Sequence, residues 1–442
     1  MKILTINMLL KKLIRNLNSE KKKIKISGIA ENSKKVKKGY IFFAIKGFRS
    51  NGEKFIGEAI RNGAAVIICS KTCKYKNNKI PVIKSSNVRL SLSEISSKFY
   101  KLKPKNIIAV TGTNGKTSVA DLFYQILNLN KISVASIGTL GIRYKGKIIK
   151  SELTSPDTIS NYQILEKLKK EKIENVIIET SSHGLHQSRM NHIKFKAGIF
   201  TNFSQDHLDY HRTMRSYLNA KKLLFTKVLS KRKVIISDKS IKEYLFLKKI
   251  SKRRKLRLID ISLIEKKLIG KIPRLNNYQI KNLSMAIAAA KLCNIKEKNI
   301  YNCLKKIKDV NGRLELIKIF PNNIRVYVDF AHTPDALLKS LKALKSDRKD
   351  NIAVVFGCGG DRDFKKRPLM AKIASSHCKK IFITDDNPRS EKPSKIRKQI
   401  IRNIKNPNCY DIGNRAEAIK TAILRADPNE IILVAGKGHE DK

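Results

Sequence analysis

The segment Val110-Thr111-Gly112-Thr113-Asn114-Gly115-Lys116-Thr117 constrains the fold more than any other stretch of the chain. It sits between an apolar run, 106–111, that reads as a strand and a run, 118–129, that reads as a helix. Glycines let a backbone turn close round phosphate oxygens with its N–H groups pointing inward. A lysine then offsets the β/γ charge, and the next hydroxyl reaches Mg²⁺. The general loop has a glycine where Val110 stands, so this is a variant. A structural glycine turn is the alternative, and the flanking strand and helix favour nucleotide binding over it.

Alternation continues on both sides of the loop. Residues 54–62 read as a helix and 65–69 as a buried strand, and Lys101-Leu-Lys-Pro104-Lys reads as a linker. Further strands are expected at 133–137, 176–178 and 198–200, each of the last two running into a polar loop. From about Gly312 a second series begins, with strands at 324–328, 352–356, 380–384 and 430–434 and helices near 335–345, 366–376, 394–404 and 414–424. This predicts an α/β protein with a central P-loop ATPase-type, mainly parallel sheet and a C-terminal doubly wound, Rossmann-like sheet, ligands lying beyond the strands' carboxyl ends. Residues 240–275 are Lys-rich and give no clear pattern.

Composition bears on what such a chain binds. Among 442 residues, 94 Lys and Arg face 36 Asp and Glu, a formal charge of +58. A field of that size gathers nucleotides, nucleic acid or anionic surfaces. Lysine is spread along the whole chain among Ile and Asn, without Trp, so A/T-biased codon drift competes with a nucleic-acid footprint as its origin. Seven cysteines (69, 73, 293, 303, 358, 378 and 409) show neither paired metal spacing nor a disulfide framework, which predicts reduced thiols in a cytoplasmic setting. The opening MKILTINMLLKKLIRNL is broken by Asn7, Lys11 and Lys12 and does not read as a signal peptide. No apolar run reaches the ~18–20 residues of a membrane helix.

TGTNGKT is the form of the phosphate loop that resembles the Mur ligase family of ATP-dependent amino-acid ligases. Glu179-Thr-Ser181-Ser-His-Gly-Leu with Gln187 and Arg189, and Thr201-Asn-Phe-Ser-Gln-Asp-His207-Leu-Asp-Tyr-His, are similar to that family's metal and substrate loops. Ala220-Lys221 followed by Leu223, Leu224 and Phe225 resembles the helix that carries a carbamylated lysine. The likeness runs from about Asn32 to Asp441. It implies three domains, 1–104 for the UDP-sugar, 105–311 for ATP and 312–442 for the amino acid, the last shortened at its end. Gln279 stands where relatives commonly have Asn at a helix start near the adenine.

The roles that follow are those the resemblance implies. Lys116, Lys221, His207 and Glu179 would be catalytic, Lys221 as a carbamate. Thr117, Glu179 and His207 would hold Mg²⁺, for which a carboxylate and a neutral imidazole are suitable partners alongside water and phosphate oxygens. Gly112, Thr113, Asn114, Gly115, Lys116, Thr117, Ser118, Arg313 and His332 would bind ATP. Glu31, Ser33, Phe48, Arg49, Ser50, Leu153, Thr154, Ser155, Ser181, Gln187 and Arg189 would meet a UDP-muramoyl dipeptide, with Asn32 and Lys34 replacing the usual Asp and Arg. The string Asp385-Asp386-Asn387-Pro388-Arg389 matches the DNPR of the diaminopimelate-adding branch, whose guanidinium suits a carboxylate. Arg362, Asp386, Asn387, Pro388, Arg389, Gly436 and Glu440 would form that pocket. The expected reaction joins meso-2,6-diaminopimelate to the D-Glu of UDP-N-acetylmuramoyl-L-Ala-D-Glu at the cost of ATP, in a cytoplasmic monomer with no specific nucleic-acid or membrane partner. A lysine-adding or folate-polyglutamate ligase would share the ATP loop but not DNPR, and a basic NTP-dependent nucleic-acid binder would share only the loop and the charge.

Overall fold

A computed structural model describes residues 7–438 except 16, 18, 48–49, 78, 152, 273–274 and 346–350. Phe48, Arg49 and Glu440 therefore lie outside the described residues. The chain divides into two compact units, one of Met1–Ala109, Ser133–Lys196 and Leu223–Lys231, the other of Val110–Ile132, Ala197–Lys222 and Arg232–Lys442.

The first unit holds a four-stranded sheet in the order Gly28–Ala30, Tyr40–Phe43, Ala64–Ser70, Val82–Ser85, all parallel. Parallel strands are covered on both faces and so read as continuous apolar runs. Ala64-Ala-Val-Ile-Ile-Cys is such a run, and Phe42, Ile56, Ala59, Ile67 and Cys69 form the core around it. In the same unit Val134–Gly138 pairs parallel to Asn175–Glu179 and antiparallel to Gly141–Tyr144. The helix Thr158–Lys170 starts where the Asp157 carboxylate accepts the Ser160 N–H. Asp157 is thus the helix N-cap directly after Thr154, Ser155 and Pro156.

The second unit carries the helix Lys116–Leu129 and three parallel strands, Ala197–Phe200, Val234–Ser237 and Arg257–Asp260. The obscure stretch 240–275 resolves into the helices Tyr244–Arg254 and Ser262–Leu268 with the edge strand between them. Its second sheet has six strands in the order Glu315–Phe320, Ile324–Asp329, Ile431–Ala435, Ile352–Phe356, Lys380–Ile383, Cys409–Asp411. Alternate residues take opposite faces: Ile352, Val354 and Phe356 meet Leu337, Met370 and Ile396 of three helices, while Ala353 and Val355 meet Ala418 and Ala422 of a fourth. That is the doubly wound arrangement, with one departure. Glu315–Phe320 is antiparallel to its neighbour, so the sheet is mixed.

All seven cysteines are free thiols. Among the described residues no helix is long and apolar enough to cross a membrane.

Candidate active site

Nucleotide-loop geometry comes first, because everything in the second unit is arranged around it. The apolar strand Asn106–Thr111 delivers the chain to Gly112, and Gly115 caps the helix that begins at Lys116. Gly112 has φ +148° and passes so close to Thr201 that a Cβ there would lie 1.8 Å from Thr201 Oγ1. Thr201 Oγ1 donates to Asn114 O (2.6 Å), Asn114 N–H to Asn202 Oδ1 (2.9 Å) and Thr113 N–H to Asn202 O (3.0 Å). The polar start of the 201–211 loop is therefore a latch that holds the phosphate loop open-mouthed at a helix N-terminus, where anions are favoured. Lys116 Nζ curls back to Gly112 O (3.0 Å) and Thr113 O (2.8 Å), within reach of whatever the loop holds. Arg313 donates to Thr117 Oγ1 at 3.1 Å with its guanidinium 4.4 Å over the Phe330 ring. Gln279, the unexpected residue, completes a capping box: it accepts the Asn276 N–H while Asn276 accepts the Gln279 N–H.

Lys221 is 1% exposed. Its Nζ donates to the same Gly112 O at 2.6 Å and lies 4.4 Å over the Tyr217 ring. Burial, with Lys116 nearby, drives its pKa well below the ordinary lysine value, and Asp206 only partly offsets this. Losing the proton is thus easier here than for an ordinary lysine. Tyr217, whose hydroxyl meets Thr113 Oγ1 at 3.2 Å, had no signal in the sequence beyond its helical spacing from Lys221.

Asp206 is buried between His207 Nε2 (3.3 Å) and His332 Nε2 (3.6 Å). Burial pushes its carboxyl up, but His207, His332 and Lys366 outweigh burial and hold it well below the usual carboxylate range. Further ties join this region to the second sheet: Asn114 Nδ2 donates to Asp335 Oδ2 (2.9 Å), Gln205 Nε2 to Asp363 Oδ2 (2.9 Å), and Arg362 pairs with Asp209 (3.6 Å). Arg362, expected on an amino acid, here meets a carboxylate of the protein.

Three neighbouring strands of that sheet, ending at Phe356, Ile383 and Ala435, release the loops with the remaining candidates. Gly436 follows the first loop's neighbour and lies beside Asp386 Oδ2 and Arg415. Arg389, exposed and at φ +50°, donates from Nη1 to Gly360 O (2.8 Å) and Asn387 O (3.3 Å). Its Nη2 and Nε have no hydrogen bond among the described residues. Gly359 runs between Arg389 and Arg362. Asp386, Asn387, Pro388, Arg389, Arg362 and Gly436 are thus brought to one sheet end.

The first unit gathers the other set. Glu179, last residue of its strand and 1% exposed, accepts the Thr139 N–H (2.8 Å) and hydroxyl (3.2 Å). Ser155 Oγ donates to Glu179 O and accepts the Ser181 N–H, both at 2.8 Å, and Ser181 caps the short helix Ser182–His186. Arg189 donates to Ser155 O (2.7 Å) and grips Gln187 Oε1 through Nη2 (2.7 Å). Thr154 accepts from the Thr139 hydroxyl, and Leu153 is exposed beside it. Glu31 comes within electrostatic reach of this cluster: burial and Asp157 raise its pKa, against Arg89 and Arg189. Ser33 is buried and its hydroxyl donates to Glu58 at 2.7 Å, while Ser50 closes a turn by accepting the Gly47 N–H.

For Mg²⁺, Thr117 and His207 belong to the second unit and Glu179 to the first. Among the described residues no three His, Cys, Asp or Glu side chains form a closed metal cluster. A phosphate-bound Mg²⁺ does not require one, because it keeps several waters and takes only one or two protein ligands. The hydroxyl beside the helix N-terminus is a donor of that kind, so the residues fit.

Three family models match the chain: "Mur ligase family, catalytic domain" over residues 25–100, "Mur ligase middle domain" over 110–304 and "Mur ligase, glutamate ligase domain" over 312–438. The UDP-N-acetylmuramoyl-L-alanyl-D-glutamate–2,6-diaminopimelate ligases of Rickettsia bellii and Brucella melitensis are 38% and 34% identical to it, over 94% and 95% of this chain and 91% and 90% of theirs. A solved structure of a ligase of the same name superposes with a TM-score of 0.69 at 27% identity, covering 99% of this chain and 94% of that one. Mycobacterium tuberculosis folylpolyglutamate synthase, at 16% identity and a TM-score of 0.63 over 79% of this chain and 92% of its own, shares the fold.

Proposed function

Since the chain belongs to the Mur ligase family of ATP-dependent ligases and has its three-domain α/β architecture, we propose that it joins meso-2,6-diaminopimelate to the D-Glu γ-carboxylate of UDP-N-acetylmuramoyl-L-Ala-D-Glu in peptidoglycan synthesis. The observation that carries this reading is one unit holding both a phosphate loop and an Arg389-bearing loop, tied through Asn114–Asp335 and Gln205–Asp363. Domain boundaries at 104/105 and 311/312 are supported by the gaps between the family matches.

In this reaction the D-Glu carboxylate attacks the γ-phosphorus of ATP, ADP leaves, and the amine of diaminopimelate then displaces phosphate from the acyl phosphate. Each step brings anions together, so the protein's task is charge placement. Lys116 and the 112–118 loop cradle the phosphates, with Arg313 at the Thr117 end and His332 beside Asp206. Mg²⁺, when bound, would neutralise phosphate charge, and Thr117, His207 and Glu179 are the residues assigned to it. Lys221, a buried amine whose pKa burial lowers, is the proposed carbamate. Glu31, Ser33, Phe48, Arg49, Ser50, Leu153, Thr154, Ser155, Ser181, Gln187 and Arg189 are assigned to the UDP-muramoyl dipeptide. Arg389, with Arg362, Asp386, Asn387, Pro388, Gly436 and Glu440, is assigned to the amino acid. Seven free thiols and nucleotide substrates support a cytoplasmic setting, and a monomer without nucleic-acid partner suffices for the chemistry.

The test is product formation from UDP-N-acetylmuramoyl-L-Ala-D-Glu, ATP and a panel of amino acids. The expected outcome is phosphate release and tripeptide fastest with meso-diaminopimelate and only slowly with lysine; preference for lysine would overturn the assignment. A second prediction follows from packing. A Cβ at position 359 would lie 2.7 Å from Arg389 Nη1. Gly359→Ala is therefore expected to raise the KM for diaminopimelate about tenfold, in initial rates at varied amino acid, with the ATP KM unchanged.

A further inference from the structure

In a chain with 94 Lys and Arg, the described residues include two of these cations at 1% exposure, Lys221 and Arg367. Arg367 lies in the first turn of the helix Lys366–His377, the end where the helix dipole disfavours a cation. Its guanidinium grips Glu391 with both nitrogens, Nη1 to Oε2 at 2.9 Å and Nη2 to Oε1 at 2.8 Å. Nη1 also donates to Gln399 Oε1 (2.6 Å) and Nη2 to Gly359 O (3.3 Å). Its Nε is buried with no hydrogen-bond partner among the described residues. With Arg367 buried and Glu391 partly exposed, a pair of this kind stabilises a fold little more than apolar packing of the same volume does. What it fixes is geometry.

The geometry it fixes belongs to Arg389. Glu391 Oε1 accepts the Asp361 N–H at 2.7 Å, and the Asp361 carboxylate accepts the Ser390 N–H (3.0 Å) and hydroxyl (2.7 Å). Gly360 N–H closes the gap by donating to Asn387 O at 3.0 Å. The 359–361 and 387–391 segments are thus stitched together from beneath by one guanidinium. Arg389 sits between the stitches in a left-handed conformation, one face on Gly360 O and the other outward.

We propose that Arg367 and Glu391 are a positioning pair that sets the reach of Arg389 toward the second carboxylate of the incoming amino acid. This rests on the substrate reading given above. Arg367 is too buried to touch substrate and acts through Glu391 and the Gly359 carbonyl. Replacing it removes a fork that lysine, a point donor, does not reproduce.

A kinetic cycle on the full chain tests it, with UDP-N-acetylmuramoyl-L-Ala-D-Glu, ATP and varied meso-diaminopimelate. The variants are Arg367→Met, Arg367→Lys, Glu391→Gln, Arg389→Ala and the Arg367→Met/Arg389→Ala double, each with a thermal melt. Arg367→Met and Glu391→Gln are expected to raise the diaminopimelate KM about tenfold with kcat and the other two KM values little changed. The double variant is expected to match Arg389→Ala alone, because the pair works through that side chain. Parallel rises in every KM, or effects that add fully in the double, would overturn the proposal. Should Arg367→Met not fold, Glu391→Gln, which keeps the shape, carries the same comparison with its own Arg389→Ala double. A wild-type chain that refuses diaminopimelate but uses another amino acid overturns the substrate reading alone, and the cycle run with that amino acid then decides the pairing.

Discussion

Lys221→Met is expected to lower the ligation rate by two to three orders of magnitude, about what losing a preorganised electrostatic group costs, with the melting temperature unchanged or higher. The two halves of that expectation have separate causes. Stability holds because the Gly112 carbonyl keeps Lys116 Nζ as a donor at 3.0 Å when Lys221 is gone, so no buried acceptor is orphaned. A methionine sulfur also packs favourably against the Tyr217 ring that Lys221 Nζ now faces. Turnover falls because CO₂ adds to the unprotonated amine, to give an N-carboxylate and a proton, and burial with Lys116 beside it lowers the Lys221 pKa toward that form. Wild-type protein stripped of CO₂ is then expected to slow and to recover with bicarbonate, while Lys221→Met responds to neither. Phosphate release read beside a thermal melt checks both halves. A Lys221→Met chain within about threefold of wild type would remove Lys221 from the mechanism.

Much of this architecture is written in local sequence, and the limits of that reading are instructive. The strand at 106–111, the loop and the following helix were legible because each is set by contiguous residues: an apolar run, two glycines and an amphipathic period. Four of the second sheet's five parallel strands were legible for the same reason, to within a residue or two, while the fifth, Cys409–Asp411, is three residues at the sheet edge and too short to show a pattern. Glu315–Phe320 was not, because an edge strand with Ile317 and Ile319 facing solvent has no inward and outward alternation to show. In the Tyr244–Arg254 helix, Leu247, Ile250 and Ser251 turn inward, and just two apolar residues among lysines are too sparse a pattern. At the site, Lys116 and Thr117 are named by their neighbours in sequence. Lys221 is picked out in the sequence only by the family resemblance of its helix and Arg367 by nothing there; what marks both is their surroundings in space, because in a chain saturated with lysine a cation's burial is the feature that composition hides.

Arg389→Ala is expected to cut kcat/KM for meso-diaminopimelate about a hundredfold or more, the usual effect of truncating one partner of a hydrogen-bonded charge pair. Among the described residues, only one nitrogen of Arg389, Nη1, is engaged with carbonyls of the protein, at Gly360 and Asn387. Those two contacts aim the guanidinium and leave its outer edge for a carboxylate, which a planar fork binds through two parallel hydrogen bonds. Lysine as substrate lacks that second carboxylate, so its slow use should be indifferent to the substitution, and the preference for diaminopimelate over lysine should collapse by the same hundredfold. Arg389→Lys separates charge from shape. An ammonium keeps the attraction but has neither the fork nor the reach to stay on Gly360 O while binding outward, so its preference should fall between wild type and Arg389→Ala. ATP use supports the same division: acyl phosphate forms at the Lys116 loop, before the amine arrives, and positional isotope exchange in ATP should persist in Arg389→Ala. Loss of that exchange, or a diaminopimelate preference that survives the substitution, would place the selective carboxylate contact elsewhere than Arg389.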